Sequence, residues 1–221
     1  MSRAPKRLTT TSHALLGLLA LQPWSTYELA AQMDRGLNMF WPRARSNVFE
    51  EPKKLVALGL AKASKEPVGR RFRTVYTITP KGRRALAGWL KRPGQGPALE
   101  WEQLVQVFFA DGGTKRDLLA TLREVVSWSD GQKRFHRQRA RNYLDGEGPF
   151  PKRRQIQALV GVFLADFAAM VGDWAEGAIA VAEHWPEDIL DAEPDRETFE
   201  RIAELGYTGH QRATAHSRRS G

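Results

Sequence analysis

The hydrophobic period changes once within the first ninety residues, and that change constrains the fold more than any other feature of the chain. Up to about Leu58 the apolar residues recur at helical spacing, and from Leu60 to Thr79 they alternate as in strands. Leu15, Leu18 and Leu19 share a face of a short helix over residues 12–21, with Ser12 as its candidate N-cap. Ser25-Thr-Tyr-Glu28 reads as a capping box, because the serine hydroxyl and the glutamate carboxylate can each take an orphan amide. The helix it opens carries Leu29, Ala30 and Met33 to about Asn38, and Met39-Phe-Trp-Pro42 breaks it. A third helix is expected over residues 46–58, with Val48, Phe49, Leu55 and Val56 for the core and Gly59 as its left-handed cap. Leu60 to Val68 and Arg73 to Thr79 then read as strands about a Gly69-Arg-Arg71 turn. Thr79 can cap the next helix and Pro80 suits its first position, with Leu86, Trp89 and Leu90 on one side.

Three helices, a hairpin and a helix make the plan of a winged helix-turn-helix, in which the third helix enters the DNA major groove and the hairpin reaches a neighbouring groove. The charge agrees with that plan. The whole chain of 221 residues has a formal charge of +9, yet residues 1–92 hold 18 Lys+Arg against 5 Asp+Glu, and residues 93–221 hold 16 against 20. A net of +13 is thus divided from a net of −4 at the Pro93-Gly-Gln-Gly-Pro97 stretch. Arg43, Arg45, Ser46 and Asn47 cluster where the third helix is expected to start, Lys53 and Lys54 follow, and Arg70, Arg71 and Arg73 load the hairpin. Arginine can pair bidentately with guanine and asparagine with adenine, while lysine mainly anchors phosphates. Lys62 and Lys65 read as a solvated face, and Trp24, Trp41 and Trp89 as core or interface anchors.

Read together, Leu15-Leu-Gly-Leu-Leu-Ala-Leu21, Trp24-Ser-Thr-Tyr-Glu-Leu29, Phe40-Trp-Pro42, Ser46-Asn-Val-Phe49, Lys53-Lys-Leu55, Leu58-Gly-Leu60 and Val75-Tyr-Thr-Ile-Thr-Pro-Lys-Gly-Arg83 resemble the PadR family of transcriptional regulators over residues 12–90. The later helices resemble those of longer members with a virulence-activator-like domain. The resemblance implies a homodimeric DNA-binding repressor or activator, dimerised through its C-terminal helices and released by a small aromatic ligand. It also implies DNA contacts at Tyr27, Ser46, Asn47, Arg70, Arg71 and Arg73. Pro52 stands where the family usually has leucine. Proline in a helix interior removes a hydrogen bond and clashes one turn back, at about 3 kcal/mol, so the helix either starts late or kinks.

The expected fold is therefore mainly α with a small β wing: a winged helix-turn-helix over residues 1–92, an α-helical dimerisation and effector domain over 93–205, and a disordered polar tail over 206–221. Helices are expected over residues 99–110, 114–145 and 152–185, with a short one in 191–205. Residues 133–141 form a basic run that could serve as a second nucleic-acid surface, although a solvated face with acidic neighbours is the commoner reading. Asp166, Asp173 and Glu176 make one polar stripe on the most apolar stretch, 156–185, which reads as a helix buried on most sides in a dimer interface rather than a membrane span. Trp101, Trp128 and Trp174 are candidate walls of a ligand pocket, although core packing is the commoner role.

Without cysteine there is no disulfide framework, thiolate metal site or cysteine nucleophile. The five histidines lack metal-ligand spacing, no phosphate-loop, dinucleotide or serine-elbow motif occurs, and His136 reads as a surface residue. The chain is read as a non-enzyme with no cofactor or metal. Its basic N-terminus lacks the apolar run of a signal peptide, so a cytoplasmic location is expected. A winged helix serving protein–protein contact is the rival reading, and the +13 argues against it, because non-specific affinity for DNA follows from such charge.

Overall fold

The computed structural model describes residues 8–41, 48–193 and 195–208, with side chains as far as residue 204. The chain forms two compact units, Met1–Pro97 and Ala98–Gly221.

In the first unit, α1 (Thr10–Leu21) is capped by Thr9 rather than Ser12; Ser12 is the third helical residue and completes a reciprocal box with Thr9. Leu15, Leu16 and Leu19 fill the core, and Leu18, expected on the same face, is only partly covered. A two-residue strand β1 (Trp24–Ser25) precedes α2 (Thr26–Gly36), whose Ser25–Glu28 capping box forms as expected. Helix α3 spans Glu51–Ala57 and puts Pro52 in its first turn, where a missing amide costs nothing. The late start removes the conflict that Pro52 poses for a helix beginning at residue 46. Gly59 follows at φ 69°, the left-handed cap.

Strands β2 (Ala61–Val68) and β3 (Arg71–Ile78) pair antiparallel from Ala61 opposite Ile78 to Val68 opposite Arg71, leaving the two-residue loop Gly69-Arg70 with Gly69 at φ 59°. β1 joins the other edge of β3, giving the order β1-β3-β2. α4 (Pro80–Leu90) is capped by Thr79. A Cβ added to Gly82 would lie 2.1 Å from the Leu60 carbonyl oxygen, so α4 can seat on the sheet only with glycine there. Leu29, Met33, Val48, Leu55, Leu60, Val75, Tyr76 and Ile78 complete the core, whereas Phe49, expected inside, is exposed.

The second unit contains α5 (Glu102–Phe108), α6 (Lys115–Leu144), α7 (Arg154–Ala182) and α8 (Arg196–Thr208). α6 and α7 form an antiparallel hairpin. Leu118, Leu119 and Leu122 meet Ala182 at one level, and Val125 meets Val171 and Ala175 at the next. Ser129 Oγ donates to the Ala168 carbonyl at 2.7 Å, and Gly172 passes so close that a Cβ would fall 2.3 Å from that hydroxyl. α8 reaches Thr208, three residues into the stretch expected as a tail.

α7 is expected to be buried on most sides within a dimer interface, and one chain by itself covers only part of it. By length and composition it could cross a membrane, with a mean hydropathy of 1.6, yet only 22% of that window is buried within the chain. Its buried stripe is Leu164, Ala168, Val171, Gly172, Ala175 and Ala182, while Ile156, Leu159, Phe163 and Met170 face outward. Within one chain α6 covers one stripe of α7, and much of the remaining apolar surface is open. His136 reverses its expectation: it is buried, and its Nε2 has no hydrogen-bond partner.

Candidate nucleic-acid interface

The exposed rim of the first unit is built from the start of α2, the start of α3 and the tip of the β2–β3 hairpin. The Ser25–Glu28 box fixes the first turn of α2 and leaves Tyr27 outward, 81% exposed. At the hairpin tip, Arg70 occupies the two-residue loop and Arg71 opens β3; both are exposed and make no ion pair among the described residues. Phe72, on the opposite face of β3 to Arg71, is also largely exposed. Arg43, Arg45, Ser46 and Asn47 lie outside the described residues.

Arg73, Lys53 and Lys54, nearby, are engaged with carboxylates. Arg73 spans two elements, with Nη1 3.3 Å from Glu28 Oε1 on α2 and Nη2 3.1 Å from Glu66 Oε2 on β2. It ties the wing to the start of α2. The Glu28 carboxyl is held below its ordinary value, first by the hydrogen bonds of the Ser25 cap and then by Arg73. Lys53 pairs with Glu50 at 2.7 Å on the open surface, and that contact raises its ammonium above the ordinary value.

Lys54 is not on the open face. Its side chain is 14% exposed, and its Nζ lies 2.8 Å from Glu51 Oε1 and 3.3 Å from Ser12 Oγ. Ser12 Oγ in turn donates to the same Glu51 oxygen. A hydroxyl from α1 and an ammonium from α3 thus satisfy one buried carboxylate and pin the first turn of α3 against α1. Sequence reading missed this use of Lys54, although the Glu51–Lys54 spacing of three is the helical ion-pair spacing. Beside the pin, His13 is stacked on Trp89 with ring centroids 4.9 Å apart. Burial, with Arg92 and Lys54 nearby, lowers its pKa, and its Nδ1 contacts the Thr9 carbonyl at 2.8 Å. Trp24 Nε1 donates to the Leu18 carbonyl and Trp41 Nε1 to Thr11 Oγ1, the anchoring roles expected of these rings.

In the helical unit, Trp101 and Trp174 meet edge to face at 5.4 Å, and Trp101 packs against the Val125–Val171–Ala175 layer. Trp128 is separate and meets Phe167 at 6.5 Å. A hollow of about 480 Å³ on the same helices is lined by Arg123, Asp130, Arg134 and Glu176 among others, and by none of the three tryptophans.

Three helices, a three-stranded sheet with an arginine-tipped hairpin, and a fourth helix define a winged helix-turn-helix protein. The comparisons give the relationship more closely. Residues 15–88 match the transcriptional regulator PadR-like family. "Probable transcriptional regulator Rv1176c" of Mycobacterium tuberculosis is 33% identical over 94 residues, 39% of this chain; the chain spans half the length of that relative. Among solved structures, Bacillus subtilis PadR in complex with operator DNA superposes with a TM-score of 0.67 at 20% identity, covering 79% of this chain and 99% of that one. The same protein in complex with p-coumaric acid gives 0.63 at 20% identity, with 80% and 100% covered. The Vibrio cholerae virulence activator AphA gives 0.59 at 20% identity, with 77% and 96% covered. At these identities the solved structures speak for the fold.

Proposed function

We propose that the protein is a cytoplasmic, sequence-specific DNA-binding transcriptional regulator, a homodimeric repressor of a pseudo-palindromic operator that a small aromatic ligand releases. The observation that carries this reading is the contrast at the rim. Lys53, Lys54 and Arg73 are paired with carboxylates, while Arg70 and Arg71 are held out at the wing tip without one among the described residues. Two adjacent cations repel each other in the free protein, and a phosphate backbone relieves that repulsion. Arg70 and Arg71 reach the backbone or the adjacent groove, Tyr27 contacts DNA from α2, and Arg43, Arg45, Ser46 and Asn47 supply base contacts ahead of α3. Arg73 and Lys54 hold the reading elements in place.

The family match of the winged-helix unit and the DNA complex of Bacillus subtilis PadR support the reading. A second copy covers the open apolar face of α7, and two-fold symmetry then sets two half-sites about one helical turn of DNA apart. The p-coumaric acid complex of that relative supports an aromatic effector, for which Trp101, Trp174 and Trp128 are the candidate contacts. Selection of bound duplexes from a random pool tests the reading. An enriched inverted repeat with half-sites about 10 base pairs apart supports it, and a pool left unenriched after repeated rounds contradicts it.

A further inference from the structure

We propose that the closed end of the α6–α7 hairpin is a second polyanion-binding surface, taking the phosphate backbone of duplex DNA outside the half-sites that the winged helices read. Residues 134–154 carry seven Lys+Arg against two Asp+Glu, while the rest of residues 98–221 carry nine against eighteen. A segment of net +5 therefore sits in a unit that is otherwise −9. Arg137 and Arg141 lie one turn apart on exposed positions of α6, and Lys152 and Arg153 lead into α7. Arg154 Nη2 donates to the Gly146 carbonyl at 3.3 Å and Gln157 Nε2 to the Pro149 carbonyl at 3.1 Å, which closes the connecting loop and gathers both groups at one end.

A solvated face would offer these cations acidic neighbours. Lys133 has Asp130 at 3.3 Å, but Arg137, Arg141, Lys152 and Arg153 make no ion pair among the described residues. Helix stability does not explain them either. A cation suits the end of α6, whereas cations at the start of α7 oppose its dipole, and α7 has no acidic residue in its first turn and no side-chain cap. Acidic residues lie at the far end: residues 183–191 hold four Asp+Glu and no Lys+Arg, next to Lys115, whose Nζ donates to the Glu183 carbonyl. The 30 residues of α6 span about 45 Å at 1.5 Å each, so that acidity cannot neutralise the tip within one chain. The exposed guanidinium forks match phosphate geometry.

The inference rests on the DNA-binding reading above. Its test is the salt dependence of the full chain's affinity for a non-specific duplex, with Arg137→Gln, Arg141→Gln, Lys152→Gln and Arg153→Gln combined. Each lost phosphate contact lowers the slope of log affinity against log salt by about 0.9, so a fall of two units or more is expected. The charge-keeping control Arg137→Lys, Arg141→Lys, Arg153→Lys should retain the slope. If the fourfold variant fails to fold, the pairs Arg137→Gln/Arg141→Gln and Lys152→Gln/Arg153→Gln should each lower it by one unit or more. A wild-type slope in folded variants overturns the inference and leaves the DNA-binding reading intact; a wild type with no affinity for any duplex overturns both. Loss of binding to vesicles of phosphatidylserine and phosphatidylcholine, with the DNA slope unchanged, assigns the tip to lipid and overturns it too.

Discussion

The two units treat their apolar surface in opposite ways. The winged-helix unit closes its core within one chain: Leu15, Leu16, Leu29 and Leu55 are fully buried, and even the carboxylate of Glu51 has its partners inside. The helical unit covers one stripe of α7 and leaves Leu159, Phe163 and Met170 outward. The first is equipped to hold a reading surface in a fixed shape by itself. The second leaves an apolar face open, the face that the proposed homodimer would bury.

That difference can be broken from either side. Replacing Glu51 by alanine leaves the Lys54 ammonium buried without its counter-ion and frees Ser12 from α3. Breaking a buried pair in this way costs about 3–5 kcal/mol, so the first unit's unfolding transition should fall sharply while the helical unit's stays put; calorimetry on the full chain separates the two. Leu122→Ala is the reciprocal experiment. It opens a cavity at a side chain that is 1% exposed, at about 3 kcal/mol, and should lower the helical unit alone. A common shift of both transitions in either variant would mean that the units do not fold independently.

A smaller effect sharpens the comparison by acting on both units at once. His13 and His136 are each buried, and burial lowers both pKa values from 6.5. A histidine whose pKa is depressed by folding contributes stability that is complete above about pH 6.5 and is lost as pH falls through the folded value. Both transitions should therefore drop between pH 7 and pH 5. Because His136 Nε2 has no partner to lose, His136→Phe should remove that drop from the helical unit without lowering its stability at pH 7. The first unit's response should persist in that variant, and its disappearance would count against His13 as a source of acid sensitivity.

How much of this was legible in the sequence follows from the range of each interaction. The Ser25–Glu28 box, the Thr79–Pro80 helix start and the Gly59 cap are contacts within a few residues, and each forms as read. Thr9 and Ser12 are neighbouring hydroxyls that both suit a cap, and in the reciprocal box they form it is Thr9 that caps. The two-residue β1 is too short to carry a periodic signal. The Ser12–Glu51 contact crosses 39 residues, so nothing local shows that the Glu51–Lys54 pair is packed against α1. Arg73 was read as a wing cation because nothing local reveals Glu28, 45 residues away, as its partner. Arg70 and Arg71 were read at the tip from the turn itself, and that placement needed no distant contact.

The measurement closest to the central claim is the salt dependence of duplex binding by wild type, Arg70→Ala/Arg71→Ala and Arg73→Ala. Free cations at the wing tip predict that the double variant loses about two units of slope, at about 0.9 per phosphate contact, with both unfolding transitions unchanged. Arg73→Ala, which gives up two half-exposed ion pairs, should keep close to the wild-type slope and cost less than about 1 kcal/mol of stability. A double variant that binds with the wild-type slope, or an Arg73→Ala variant that loses as much slope as the double, would contradict the account.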